Sequence, residues 1–156
     1  MSKAVDAIKA ELGDDWVPRI YQDRVRSDRT RAYTLEVGVR ENRAEIQYTL
    51  LGIELKVGRR RFSCPELATA RYLRVFARIG VSKFAIPYDI SQISAIADEF
   101  ETGWHRSLLM LEKRGGSRTS LIRAMRDEIT AIGPGEPMPL FDRETRQKTK
   151  SEKVKE

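Results

Sequence analysis

The chain has 156 residues, 40% of them hydrophobic and 33% charged, which is enough to bury the core of one domain. Its single cysteine, Cys64, excludes a disulfide framework and a cysteine zinc site, and its single histidine, His105, excludes a site built from two imidazoles. No apolar run approaches the ~20 residues of a membrane span and the N-terminus has no apolar signal core, so no membrane contact and a cytoplasmic location are expected.

Ala4, Val5, Ile8 and Leu12 recur at helical spacing and predict a first helix over 2–12, stopped by Gly13. Trp16, Val17, Ile20 and Tyr21 predict another turn or two, with Pro18 tolerated near its start. Residues 22–31 turn polar and read as an exposed connection. Alternation with a period of two then predicts strands over Tyr33–Val39, Ala44–Leu50 and Ile53–Val57. Arg40-Glu41-Asn42-Arg43 suits a hairpin, with Asn42 able to take a positive φ. The phase flips at Leu51-Gly52; Gly52 permits a tight turn or a bulge, and a hairpin is the reading adopted. The arm Gly58–Phe62 either extends the third strand or forms its own.

Ser63 and Glu66 have capping-box spacing, with Pro65 in the first turn of the next helix. Its apolar face is Ala68, Tyr72, Val75, Phe76 and Ile79, and Gly80 ends it. A short strand, Lys83–Ile86, runs into Pro87, and Asp89 with Gln92 opens a long helix striped by Ile93, Ile96, Ala97, Phe100, Trp104, Leu108 and Leu111. A last helix spans about 119–132, after which Gly133–Pro139 breaks any periodicity. Residues 141–156 carry ten charges and no apolar period, which predicts a disordered basic tail. The order α-β-β-β-α-β-α-α implies an α+β fold: a single domain over 1–140 with a small, mostly antiparallel sheet of four strands or so.

The net charge is +6, and residues 56–83 alone sum to +7. Arginine outnumbers lysine 20 to 9, and its planar fork of donors suits phosphate oxygens. Arg59, Arg60 and Arg61 precede the middle helix, Arg71, Arg74 and Arg78 form one stripe along it, and Lys83 follows. These seven residues are the expected binding surface for a polyanion, RNA or DNA, through sequence-independent phosphate contacts. Tyr21, Tyr33 or Phe62 would offer a stacking face.

Two resemblances bear on the same stretch. Glu54-Leu55-Lys56 on the third strand, with Glu45 on the second, is similar to the acid-x-Lys of the PD-(D/E)xK nuclease superfamily, over roughly residues 3–87. That resemblance implies a Mg²⁺ held by Glu45 and Glu54, with Lys56 activating water and Glu11 as a first-helix acid. The chain departs from the pattern in having Glu45 where the family usually has Asp, and no Pro-Asp pair. The α-β-β-β-α order with a basic second helix also resembles a double-stranded-RNA-binding domain. That family places lysines at the head of the second helix, where this chain has Ser63-Cys64-Pro65-Glu66.

No phosphate-loop, dinucleotide, nucleophile-elbow or zincin signature is present, so no cofactor and no catalytic residue is assigned. His105 reads as a surface or packing residue, Cys64 as a buried inert thiol, and Trp16 and Trp104 as core. The stripe from Ile93 to Leu111 spans about 27 Å at the helical rise, more than one small sheet covers, which points to a homodimer or a protein partner on the 90–132 helices. The expected role is a non-catalytic binding factor for a polyanion. The alternatives are an assembly factor without nucleic acid and a Mg-dependent nuclease.

Overall fold

The computed structural model describes residues 3–135. The expected tail over 141–156 lies outside the described residues. Helix α1 (Lys3–Leu12) is followed by a 3-10 turn and α2 (Val17–Ile20), which continues as a π turn over Tyr21–Val25. Strands β1 (Thr30–Thr34), β2 (Ala44–Thr49), β3 (Gly52–Val57) and β4 (Arg60–Cys64) come next, then α3 (Leu67–Ile79), β5 (Lys83–Pro87), α4 (Ile90–Arg114) and α5 (Arg118–Ile132). The fold is α+β, in the expected order.

The strands divide into two antiparallel sheets, β2-β3-β4 and β1-β5, rather than one. The hairpin at Leu51-Gly52 forms, with Thr49 opposite Gly52, and the arginine arm makes its own strand, β4. The expected hairpin at residues 40–43 does not form. β1 is Thr30–Thr34 and pairs with β5, Thr30 opposite Pro87 and Thr34 opposite Lys83. Residues 35–43 are a loop that seats Leu35 in the core, and Leu35 N–H donates to Ser82 C=O at 2.7 Å. The polar stretch after Tyr21 is likewise helical as far as Val25, which is fully buried. Ser63 belongs to β4, and Glu66 holds the N-cap of α3 without a side-chain bond. Asp89 does cap α4, its carboxylate accepting from Ser91 N–H at 2.9 Å.

Helix α3 is the centre of the body. One side packs on β2, β3 and β4, the other on α4 and α5, so most of its residues are buried. Tyr72 and Phe76 meet Phe84 and Phe100, with Phe76 stacked on Phe84 at 3.9 Å. The buried edge of β5 has no third strand. Two tyrosine hydroxyls take its place: Ala85 N–H donates to Tyr21 Oη at 2.8 Å, and Tyr72 O–H donates to Ala85 C=O at 2.6 Å. Both backbone polar groups of the buried Ala85 are thus paired. The α4 stripe from Ile93 to Leu111 is buried by the chain's own α1, α2 and α3, so its length does not call for a second copy.

Candidate polyanion interface

The loop over residues 35–43 crosses the C-terminal end of α3, where helix carbonyls lack intrahelical partners. Asn42 supplies the donors. Its side-chain amide donates to Ala77 C=O at 3.0 Å and Gly38 C=O at 2.9 Å, and its backbone N–H donates to Arg78 C=O at 3.3 Å. Asn42 therefore acts as a cap, not as the expected positive-φ turn residue; no described non-glycine residue has a positive φ. Gly80 ends α3 with φ +88°, and a Cβ there would lie 2.2 Å from Arg40 C=O. Gly58 N–H donates to Arg43 C=O at 3.2 Å and ties the loop to the β3–β4 turn.

This tethered loop is the meeting point of three clefts. The largest, about 920 Å³, lies between the loop and the β3–β4 turn and includes Arg40, Arg43, Arg59 and Arg60 in its walls. A second, about 470 Å³, adds Arg78, Arg118, Trp104 and His105. A third, about 320 Å³, adds Lys56. Arg43 lines all three; the groove they make up holds seven Arg or Lys side chains against three glutamates, Glu36, Glu41 and Glu45, with Lys56 and Glu45 on the open face of the three-stranded sheet and Arg60, beside Val57, on its other face.

Each glutamate is committed to one arginine. Glu36 pairs with Arg60 at 3.3 Å, Glu45 with Arg43 at 2.9 Å, and Glu41 takes Arg118 through both carboxylate oxygens. Arg40, Lys56, Arg59 and Arg78 have no carboxylate within ion-pair distance among the described residues. Burial lowers the Arg78 guanidinium from its ordinary value, and neighbouring Arg74 and Arg118 push the same way against Glu101 and Glu41.

The expected basic surface is thereby split. Arg59, Arg60 and Arg78 line the groove, and Lys83 is exposed at its edge, next to Ser82 and opposite Thr34. Arg61 points to the open face of the three-stranded sheet and pairs with Glu54 at 3.6 Å. Arg71 and Arg74 are not a solvent stripe. Glu101 of α4 binds Arg71 at 2.9 Å and Arg74 at 2.6 Å, Asp98 also holds Arg71, and the two arginine side chains are only 21% and 22% exposed. Burial raises the Glu101 carboxyl, but the bonds from Arg71 and Arg74 outweigh it and hold the group below its ordinary value. Arg40, Arg43 and Arg118 were not foreseen, because their segments sum to a negative or neutral charge.

The remaining candidates resolve in the same way. Glu45 and Glu54 share the open face but sit diagonally, Glu45 opposite Lys56 and Glu54 opposite Gln47, about 7–8 Å apart along such a diagonal. No group of three His, Cys, Asp or Glu side chains able to hold a metal occurs among the described residues. The head of α3 carries no basic residue in its first turn. Tyr21 is wholly buried and so closed to a base, while the partly buried Tyr33 is tilted against Phe84 and has the Arg31 guanidinium over its ring, 5.5 Å from the centroid. Burial pushes the Cys64 thiol up, as fits an inert side chain. No described helix is long and apolar enough to cross a membrane. Comparison with protein-family models, curated proteins and solved structures finds no match to this chain.

Proposed function

We propose that this protein is a non-catalytic binding factor that takes a polyanion, RNA or DNA, along the groove centred on Arg43. One observation carries the reading: three clefts share Arg43 and gather seven basic side chains against three glutamates that are already engaged. Four cations left without a carboxylate, Arg40 on the tethered loop, Lys56 on β3, Arg59 on the β3–β4 turn and Arg78 on α3, suit phosphates spaced along a backbone and require no base readout.

The test is titration of labelled single-stranded and duplex oligonucleotides against the wild type and two triple variants. Arg40→Ala/Lys56→Ala/Arg59→Ala removes three of the four cations that have no carboxylate partner. Lys3→Ala/Lys113→Ala/Arg123→Ala removes the same charge from exposed positions outside it. The groove variant is expected to lose tenfold or more in affinity, about 1.4 kcal/mol, and the control far less. Equal losses reduce the effect to net charge and refute the groove. A second reading, an assembly factor without nucleic acid, is favoured by the β2–β3 hairpin tip, where Leu50 and Leu51 are fully exposed beside an exposed Tyr48.

A further inference from the structure

The Arg78 pocket differs from the rest of the groove. Elsewhere its arginines lie at the surface, whereas Arg78 is half-buried on the last turn of α3, in a pocket of about 470 Å³ backed by the buried Trp104. Arg43, Arg118 and His105 complete its basic lining. Glu41 and Glu45 are there too, but Glu41 holds Arg118 through both its oxygens and Glu45 holds Arg43. Arg78 is left as a guanidinium partly removed from water, with Glu41 and Glu101 acting on it only from beyond ion-pair distance among the described residues. Such a group is costly to bury unless an anion joins it.

From this geometry we infer that the Arg78 pocket is a subsite for a phosphate monoester. A terminal phosphate carries about −1.5 to −2 charges and three acceptor oxygens, against one charge and two free oxygens on an internal diester. It therefore answers the guanidinium fork of Arg78 more fully than the middle of a strand does. The pocket shares Glu41, Asn42 and Arg43 with the largest cleft, so the terminus of a strand lying in that cleft can reach it. The same chemistry is offered by the end of a nucleic-acid strand and by a free phosphate.

The inference rests on the groove reading for the strand but not for the phosphate, and the experiment separates the two. Affinities are measured for one single-stranded oligonucleotide carrying either a 5′-phosphate or a 5′-hydroxyl, and inorganic phosphate is titrated by calorimetry. The wild type is expected to prefer the phosphorylated strand by about five- to tenfold. Arg78→Gln is expected to erase that preference, bringing the phosphorylated and hydroxyl strands to the same Kd, whatever it also costs both strands as one of the four unpaired groove cations. Arg78→Lys keeps the stem and charge, so it is the variant to use if Arg78→Gln does not fold, and it should lose most of the preference with the fork.

A strand end bound at least tenfold tighter than inorganic phosphate identifies the strand terminus as the ligand; equal affinity identifies a free phosphate. If neither strand binds but phosphate binds in an Arg78-dependent way, the groove fails and the subsite stands. If both strands bind equally and phosphate shows no Arg78-dependent binding, the subsite is overturned and the groove stands.

Discussion

Gly80→Ala tests how the groove is held in place. Gly80 combines a left-handed φ of +88° with direct contact: a Cβ would sit 2.2 Å from Arg40 C=O and 2.6 Å from Arg40 N. The backbone alone costs an alanine about 1–2 kcal/mol. The contact is with main chain, which cannot swing aside as a side chain would, and overpacking of this kind adds about 1–3 kcal/mol. The sum, about 2–5 kcal/mol, is a large share of the ~5–15 kcal/mol that holds a domain together. Gly13→Ala is the control, because Gly13 has φ +55° and nothing within 4 Å, so only the backbone cost applies. Urea unfolding of both variants reads the difference as a change in midpoint at constant slope. Where Gly80→Ala remains folded, the Arg40 loop must lift from α3, and groove affinity should fall with no basic residue altered. Equal destabilisation by the two variants would refute the seating of the loop on Gly80.

Tyr21→Phe removes a hydroxyl that accepts from Ala85 N–H and donates to Gly133 C=O, so a loss of about 1–3 kcal/mol by chemical denaturation is expected, against less for Tyr72→Phe, which frees only one carbonyl. Because the Glu101 carboxyl is held below its ordinary value in the folded chain, its contribution is present above the unfolded pKa and disappears as pH falls through the folded one. Urea midpoints across the acid range should therefore drop less steeply in Glu101→Gln than in the wild type. Leu50→Ser with Leu51→Ser should leave stability within about 0.5 kcal/mol, since both side chains are fully exposed, while Leu55→Ala on the buried face of the same hairpin should cost about 2–5 kcal/mol.

What the sequence made legible was local. The hairpin at Leu51-Gly52 follows from a phase flip beside a glycine, the Asp89 cap from spacing, and the Gly80 stop from a conformation few other residues adopt. Partners far along the chain were not legible. β1 joins β5 across some fifty residues; alternation places a strand over Tyr33–Val39, but only Tyr33 and Thr34 of it lie in β1, Leu35 to Val39 belong to the loop, and the neighbour is not visible at all. Helical spacing put Arg71, Arg74 and Arg78 on one stripe, yet only the packed structure brings Asp98 and Glu101 against two of them. The groove was half visible for a related reason. Summing charge over segments hid Arg40 and Arg43 among Glu36, Glu41 and Glu45, although those acids turn to single arginines and leave the balance of the surface basic. Asn42 was assigned to a turn by residue type, when the unmet carbonyls of α3 decide its role.

The most direct test of the groove is the salt dependence of oligonucleotide binding. Four cations without a carboxylate partner, at about 0.9 per neutralised phosphate, give a slope of log K against log salt of about −3 to −4 on duplex DNA, and about −2 to −3 on a single strand at 0.7 each. Arg40→Ala/Lys56→Ala/Arg59→Ala should bring the duplex slope to about −1, while Lys3→Ala/Lys113→Ala/Arg123→Ala leaves it unchanged. A wild-type slope near zero, or one that the two triple variants reduce equally, would contradict a polyanion site at Arg43.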